Sequence, residues 1–412
     1  MSSSAETTPL RLDCARWLLP VSSAAIEDGC LVSRDGEVVA LGRRKDMLKE
    51  FSGEVHDHQV HDHQVRDHND AAILPGLVNC HAHLELSLLR GKVASSTFCG
   101  WLAALIDAKQ ALGIEGLREG VRVGLAEARG FGTAYVADTI SPHVIVPGLY
   151  PAGQVLGLVE VLGFSRLVAG ERWRQAEGGL ARLLAGRIPA ALAPHSPYTV
   201  SEMLLTRCAA WPGTLSVHVA ESVEEVEFLR SCNAAIQDLL ASRGAWDHTY
   251  RPPGLSPVAY LSRLAMLRPG SLAVHCVQAT GNDIGLLAQW GGAACLCPRS
   301  NAALGVGRAP LRELIDAGVK VCLGTDSLAS VADLNLFREA EAAMELGATP
   351  EEALRLATLA GAEALTRPEL GALSPGKRPQ PIVLPLTGNE PVEAALEAGA
   401  AGQARFVFEV SV

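Results

Sequence analysis

The chain has 412 residues, of which 48% are hydrophobic and 19% are charged, so it is a large globular protein and not a disordered one. Its formal net charge of −10 argues against nucleic acid or an anionic membrane surface as a main partner. No apolar run is long enough to span a bilayer, and the first residues lack the basic start of a signal peptide. The ten cysteines are scattered without a C-x-x-C pair, so we interpret them as reduced thiols and expect a cytoplasmic protein.

The N-terminal section predicts a small β domain. Strand-like segments separated by turn residues occur at Leu10–Leu12, Ala25–Ser33 and Glu37–Leu41. A tandem duplication follows, in which His56–Val60 is repeated as His61–Val65, with a degenerate third copy at Arg66–His68. A His-rich tract can bind metal. A surface loop or hairpin is the favoured interpretation, because no apolar segment is present to fix the rings.

From residue 71 to about residue 364, short apolar runs alternate with longer segments of helical spacing. After a first run at Ala71–Leu77, the runs are Ala134–Ala137, Val155–Val161, Ala190–Ala193, Leu215–Val219, Leu272–Val277, Gly292–Leu296 and Val319–Leu323. Helical spacing is clearest at Gly116–Arg129 and Pro350–Leu365. This alternation predicts an α/β protein with a (β/α)8 TIM-like barrel.

The C-terminal section returns to a β pattern. Ile382–Leu386 and Arg405–Val412 are strand-like, and they could join the N-terminal strands. We therefore predict two domains. Residues 1–70 and 370–412 would form a composite β-sandwich, and residues 71–369 would form the barrel.

Two histidines one residue apart, His81 and His83, follow the run Ala71–Leu77, which is interpreted as a buried strand. Because side chains alternate along a strand, both imidazoles fall on the same side of it. Two imidazoles on one side can grip one divalent cation. The pair therefore predicts a metal hydrolase whose remaining ligands lie elsewhere in the chain.

Four further polar positions stand where apolar runs end, which is the active-site end of such a barrel. They are His195, His218 with Glu221 three residues later, His275 and Asp326. Each has a plain structural alternative: a hydrogen-bonding histidine, a first-turn helix acid for Glu221, or a helix N-cap for Asp326. Their combination with the paired histidines favours a shared catalytic site.

Together these segments resemble the amidohydrolase superfamily and, within it, the cytosine deaminase-like branch. The resemblance covers nearly the whole chain and is carried by Leu74–His83, Pro194–Tyr198, His218–Glu221, Cys297–Asn301 and Leu323–Ser327. It implies a metal-binding TIM barrel beside a β-sandwich. The metal ligands it implies are His81, His83, His218 and Asp326. It also implies catalytic roles for Glu221 and His275 and a substrate contact for His195.

The number of metal ions follows from an absence in the sequence. Many members of this superfamily hold two metals bridged by a carboxylated lysine, but no lysine occurs between Gln110 and Val217. A bridging glutamate, Glu160, is the less favoured alternative. We predict one divalent metal ion, zinc, with iron left open by the N/O ligand set.

The expected chemistry is hydrolytic deamination of an amino-heteroaromatic ring. A divalent metal lowers the pKa of a water to about 7, which allows attack near neutral pH. Asp326, besides ligating the metal, would accept the proton of that water, and His275 would orient the attacking oxygen or polarise the oxyanion. Glu221 would protonate the ring nitrogen and pass a proton to the leaving amine.

The substrate is expected to be a small heterocycle. Trp101 would stack on it or belong to the core, Glu85 would bind a polar group or be a solvated loop acid, and Arg299 and Asn301 would line the pocket. Within the branch, the chain resembles deaminases of 5′-modified adenosines: methylthioadenosine, S-adenosylhomocysteine and, by a slight preference, aminodeoxyfutalosine. A triazine hydrolase and a catalytically silent metal scaffold are the alternatives. The sequence leaves a homodimer open and does not determine the oligomeric state.

Overall fold

A computed structural model describes residues 9–51 and 65–408. Residues 56–64 of the duplicated His-Asp-His-Gln-Val tract and residues 409–412 of the last predicted strand lie outside these ranges. The strands are β1 (Arg11–Leu18), β2 (Ile26–Arg34), β3 (Glu37–Arg43), β4 (Val65–Asp67), β5 (Ala71–Leu74), β6 (Leu77–Ala82), β7 (Thr133–Ile140), β8 (Val155–Val161), β9 (Ala190–Pro194), β10 (Ser216–Val219), β11 (Leu272–His275), β12 (Ala293–Leu296), β13 (Lys320–Leu323), β14 (Ile382–Pro385) and β15 (Arg405–Phe406).

Helices fill most of the intervals between these strands. They are α1 (Arg44–Phe51), α2 (Phe98–Gly130), α3 (Ala169–Ala185), α4 (Glu202–Ala209), α5 (Val223–Ser231), α6 (Ala234–Ser242), α7 (Pro257–Arg263), α8 (Gly281–Gln289), α9 (Pro298–Ala303), α10 (Leu311–Asp316), α11 (Leu336–Glu345), α12 (Pro350–Leu356), α13 (Leu359–Ala364) and α14 (Pro391–Ala400). Short 3-10 turns occur at Leu84–Leu89 and Arg166–Val168. None of the helices in the described ranges combines the length and apolar character required to cross a membrane.

The central feature is a parallel barrel. Strands β6-β7-β8-β9 and β10-β11-β12-β13 form two four-stranded parallel sheets. Parallel bridges between Leu192 and Leu215 and between Ala82 and Asp326 join the two sheets at both edges. Most of these strands are buried along their whole length, because helices cover them outside and side chains fill the interior. The predicted (β/α)8 fold class is confirmed.

The two ends of the chain meet in a second sheet. Its order is β15-β14-β5-β1-β2-β3, and β4 pairs with β1. Strand β14 pairs antiparallel with β5, so residues near the C-terminus complete a sheet begun by N-terminal residues. In hydrogen bonding this is one seven-stranded sheet within the described ranges.

The apolar run at 71–77 contains two strands where the sequence predicts one. Pro75 and Gly76 separate β5 from β6; proline has no N–H to donate, and a Cβ on Gly76 would lie 2.6 Å from that of Ala134. Strand β5 pairs with β1 and β14, so 71–74 belong to the terminal sheet and not to the barrel. The predicted start of the barrel at 71 therefore moves to 77.

Two predicted helices also differ in extent. The segment predicted as one helix over 350–365 is two helices, α12 and α13, because Thr358 leaves helical geometry with φ −131° and ψ −93°. The helix predicted at 116–129 is the second part of α2, which begins at Phe98. Gly113 interrupts α2 with a φ of 67°, a conformation that glycine adopts without steric cost.

Candidate active site

Three histidines converge at the carboxyl end of the barrel. His81 lies near the end of β6, His83 follows that strand, and His218 lies in β10. The Nε2 atom of His218 is 3.2 Å from that of His81 and 3.3 Å from that of His83. All three rings are buried, and their ligand atoms lie within 4.8 Å of one another. The strand ends thus bring together residues separated by up to 137 positions.

The donor set of this cluster fits a cation. Nδ1 of His218 is 2.7 Å from the main-chain oxygen of His195, so Nδ1 carries the proton and donates it. The Nε2 of His218 therefore presents a lone pair to the Nε2 atoms of His81 and His83. Neutral imidazole lone pairs in such an arrangement repel one another unless a shared cation lies between them. Burial lowers the pKa of His81 to about 4, which keeps its ring neutral and able to ligate.

Asp326 lies beside the cluster in the loop after β13, but it is not one of the three residues whose ligand atoms lie within 4.8 Å of one another. Its Oδ1 is 3.7 Å from Nε2 of His81 and 3.8 Å from Nε2 of His83, and its Oδ2 accepts a hydrogen bond of 2.5 Å from Ser300. Burial would raise the pKa of Asp326, but its contact with His81 and its electrostatic interactions with His83 and His275 outweigh burial and hold the pKa well below its ordinary value. The helix N-cap alternative is wrong, because the next helix, α11, begins at Leu336.

Glu221 and His275 face each other beside the cluster. Oε1 of Glu221 is 3.6 Å from Nε2 of His275, and both side chains are buried. Burial raises the pKa of Glu221 to about 7, which suits a group that exchanges protons near neutral pH. The first-turn alternative for Glu221 is wrong, because α5 begins at Val223 and Ser222 caps it.

The backbone is strained at these strand ends. Ala220, His275 and Asp326 have φ values of 52°, 75° and 59°, in the left-handed region that residues with a Cβ seldom adopt. Such strain costs of order 1–3 kcal/mol per residue and concentrates at functional sites. The surrounding hydrogen bonds therefore hold each of these loops in an unfavourable conformation.

Two residues that the sequence analysis did not select hold the catalytic candidates in place. The buried Glu225 carboxylate accepts a hydrogen bond of 2.8 Å from the main-chain N–H of Glu221, and Ser300 binds Asp326. Ser222 and Glu225 have the spacing of a helix capping box, a pattern visible in the sequence. No comparable sequence pattern indicates the contact between Ser300 and Asp326.

The four predicted substrate contacts beyond His195 lie in different settings. Trp101 is buried within the main hydrophobic core, which agrees with its interpretation as a core residue. Glu85 is 1% exposed and bonded to Ser141 and Lys109, so the solvated-acid alternative is wrong. Arg299 pairs with Asp333 and Glu339, and Asn301 bonds to His275, so neither side chain is free of protein partners.

His195 and Glu160 lie next to the histidine cluster. The His195 ring centroid is 4.7 Å from that of His218, and its Nδ1 is 2.9 Å from Oγ1 of Thr199. Glu160 lies 3.7 Å from Nζ of Lys109 and is not part of the three-histidine group. The geometry therefore gives no support to Glu160 as a bridging ligand.

Asp138 anchors the turn after His83 and provides a test by pH. It accepts hydrogen bonds from the Leu84 N–H and, at 2.5 Å, from the Tyr150 hydroxyl, and burial raises its pKa to about 8. An unfolded aspartate ionises near pH 4, so this group favours folding below about pH 4, and that contribution is lost as the pH rises through about 8. We expect Asp138→Asn to flatten the fall in unfolding free energy between pH 5 and 8.

Urea unfolding at several pH values checks this prediction. The exposed Asp35→Asn is the matched control, because asparagine tolerates the positive φ of 52° at this turn position. The control should reproduce the original pH slope. An unchanged slope in Asp138→Asn would show that Asp138 is already ionised in the folded protein.

The protein is thus a parallel α/β barrel whose three clustered histidines could hold a metal ion. The model of the Amidohydrolase family matches residues 72–407, and the chain belongs to that family. As the sequence predicts, it is a hydrolase acting on carbon–nitrogen bonds other than peptide bonds. The predicted family resemblance is likewise confirmed.

Named relatives and solved structures agree with this assignment. A 5-methylthioadenosine/S-adenosylhomocysteine deaminase of Moorella thermoacetica is 31% identical over 90% of this chain and 84% of its own length. A zinc-bound adenosine deaminase of Xanthomonas campestris has a TM-score of 0.78 and 25% identity, covering 97% of this chain and 91% of that one. The aminofutalosine deaminase of Helicobacter pylori has a TM-score of 0.80 at 20% identity, covering 96% of this chain and all of that one, which shows a shared fold.

Proposed function

We propose that this protein is a metal-dependent deaminase that hydrolyses the amino group from the adenine ring of a 5′-modified adenosine. The observation that carries the proposal is the buried set of three histidines and Asp326 facing the Glu221–His275 pair. Such a set can bind one cation and still leave an acid and a base free for proton transfer. The deaminase names of the relatives agree with this reaction class.

The metal is proposed to be a single zinc ion held by His81, His83, His218 and Asp326. Zinc–nitrogen distances of about 2.0–2.1 Å in a tetrahedral site separate the ligand nitrogens by about 3.3 Å. The observed separations of 3.2 and 3.3 Å from His218 match that value, whereas Oδ1 of Asp326 lies farther out, at 3.7 Å from His81 and 3.8 Å from His83. When bound, zinc lowers the pKa of a water and polarises the substrate, so that attack occurs near neutral pH.

The side chains of this protein supply the proton transfers. The Asp326 carboxylate accepts the proton of the attacking water, while Ser300 holds its second oxygen. His275 orients the attacking oxygen. Oδ1 of Asn301 lies 2.9 Å from Nδ1 of His275 and fixes the orientation of the imidazole ring. Glu221, largely protonated below about pH 7, donates its proton to the ring nitrogen. It then takes up the second proton of the attacking water as the carbonyl forms and passes it to the leaving amine, which departs as ammonia. The proton held by Asp326 returns to Glu221, so both carboxyl groups regain their starting states.

His195 and Glu85 are the proposed substrate contacts, because both lie at the same barrel end as the histidine cluster. Methylthioadenosine, S-adenosylhomocysteine and aminodeoxyfutalosine are the candidate substrates. We further propose a division into a barrel and a terminal β domain. A cytoplasmic location is also proposed, since the ten cysteines are free.

An ammonia-release assay tests the function. The zinc-loaded protein is assayed with the three candidate adenosines, with adenosine, and with amino- and chlorotriazines. We expect kcat/KM for at least one 5′-modified adenosine to exceed that for every triazine by at least about a hundredfold. A triazine preference, or no ammonia from any adenosine, would overturn the proposal.

A further inference from the structure

A buried lysine joins two buried glutamates beside the proposed active site. Nζ of Lys109 is 2.5 Å from Oε1 of Glu85, 2.8 Å from Oγ of Ser141 and 3.7 Å from Oε2 of Glu160. Their side chains are 24% exposed for Lys109, 1% for Glu85 and 6% for Glu160. We call Lys109, Glu85, Ser141 and Glu160 the Lys109 cluster. Nothing in the proposed proton transfers uses it.

The Lys109 cluster lies at the catalytic end of the barrel. Glu85 stands two residues after His83, Ser141 directly follows β7, and Glu160 is the penultimate residue of β8. The main-chain N–H of His195 donates to the oxygen of Val161, the residue after Glu160. Lys109 reaches this point from α2, before the kink at Gly113. The cluster therefore forms the wall next to the proposed substrate contact His195.

The cluster contains two acidic side chains, Glu85 and Glu160, and one basic side chain, Lys109. Burial opposes the charge on Lys109, but Glu85 and Glu160 outweigh burial and raise the pKa of the lysine. Burial likewise raises the pKa of Glu160, but Lys109 outweighs it and the net shift is downward. The lysine and Glu160 therefore stay ionised.

An ionised carboxylate is a pure acceptor with about four hydrogen-bond sites. Glu85 uses three of them, for the Ser141 N–H at 3.0 Å, the Ser141 hydroxyl at 2.8 Å and Lys109. Glu160 lies 3.4 Å from the same hydroxyl and 3.7 Å from Lys109. The remaining sites are suited to O–H donors of a ligand, and two adjacent carboxylates suit two adjacent hydroxyls.

We propose that Lys109 is a positioning residue for specificity, which holds the Glu85 and Glu160 carboxylates as acceptors for the vicinal hydroxyls of the substrate sugar. The inference rests on the proposed function, because it takes the substrate to be a ribonucleoside. Lys109 itself touches neither the ring nor the reacting atoms. A purely structural role, in which Lys109 only ties α2 to the barrel, makes different predictions.

The test compares two substrates that differ only in the vicinal hydroxyls: 5′-deoxyadenosine and 2′,3′,5′-trideoxyadenosine. For Lys109→Met we expect KM for 5′-deoxyadenosine to rise about tenfold to a hundredfold, the loss typical of a hydrogen bond to a charged group. The kinetic constants for the trideoxy substrate should stay within about threefold of the original. Lys109→Arg should retain much of the preference for the diol, and the exposed Lys92→Met is the matched control.

Each outcome decides between the alternatives. An equal loss on both substrates, or no loss on either, would overturn the inference. If Lys109→Met does not fold, Glu160→Gln replaces it, because this variant keeps the Lys109–Glu85 pair and should show the same selective rise in KM. If the wild-type protein deaminates both substrates with equal KM, the inference about Lys109 is overturned but the proposed function is not. Original protein that deaminates neither this pair nor any adenosine of the wider panel would overturn the proposed function as well.

Discussion

Replacement of Glu221 by glutamine should lower kcat by about a thousandfold, within the range of 10²–10⁴ for loss of a general acid–base group. The amide keeps the size and burial of the carboxyl group but cannot carry the transferred proton. Oε1 of Glu221 lies 3.6 Å from Nε2 of His275, and Glu221 does not belong to the group of ligand atoms formed by His81, His83 and His218. We therefore expect the metal content of the variant to remain that of the original protein.

The matched control for this variant is Glu224→Gln, three residues further along and in the first turn of α5. It makes the same chemical change at a side chain outside the site and should leave kcat within about twofold. Steady-state ammonia release and metal analysis of the same samples measure both predictions. Turnover of Glu221→Gln within tenfold of the original would remove Glu221 from the mechanism.

Loss of a metal ligand should have the largest effect. For His83→Ala we expect less than about a tenth of the original metal content and a fall in turnover of at least about a thousandfold, because attack near neutral pH requires the metal. Chelation of the original protein should have the same effect on turnover and should also lower its melting temperature. A ligand present at a thousand times its Kd stabilises the folded state by about 4 kcal/mol.

The exposed His248→Ala serves as control, since it removes an imidazole away from the histidine cluster. Its metal content and melting temperature should equal those of the original protein. Full activity of His83→Ala, or of the chelated protein, would contradict a metal-dependent reaction.

Much of the fold follows from apolar runs. The run Val155–Val161 coincides with β8, because a strand buried on both faces has no polar alternation to blur its ends. The prediction of a single strand at 71–77 was wrong for the same reason. The segment is apolar throughout, so its pattern does not show that β5 belongs to one sheet and β6 to another. Only Pro75 and Gly76 mark that change.

The site residues that could be predicted from the sequence are those at the ends of strands. His81, His83 and His218 come together because parallel strands place their carboxyl ends at one edge of the barrel. Their role as metal ligands stays a prediction until a metal is measured. The same reasoning selected Glu221 and His275, which the structure places 3.6 Å apart.

Contacts that depend on helix placement were not predictable. Lys109 meets Glu85 only because α2 begins 18 residues before the segment with clear helical spacing and bends at Gly113. Arg299 and Asn301 follow a strand, as pocket residues do, yet their side chains pair with Asp333 and His275. Sequence position indicated the neighbourhood of these side chains but not their partners.

The proposed deaminase activity depends on one metal ion at the three-histidine cluster. Zinc titration of the metal-free protein, read as ammonia release from a 5′-modified adenosine, tests it most directly. We predict activity that rises in proportion to added zinc and levels off at one ion per chain. Activity without metal, or a plateau reached only at two ions per chain, would contradict the account.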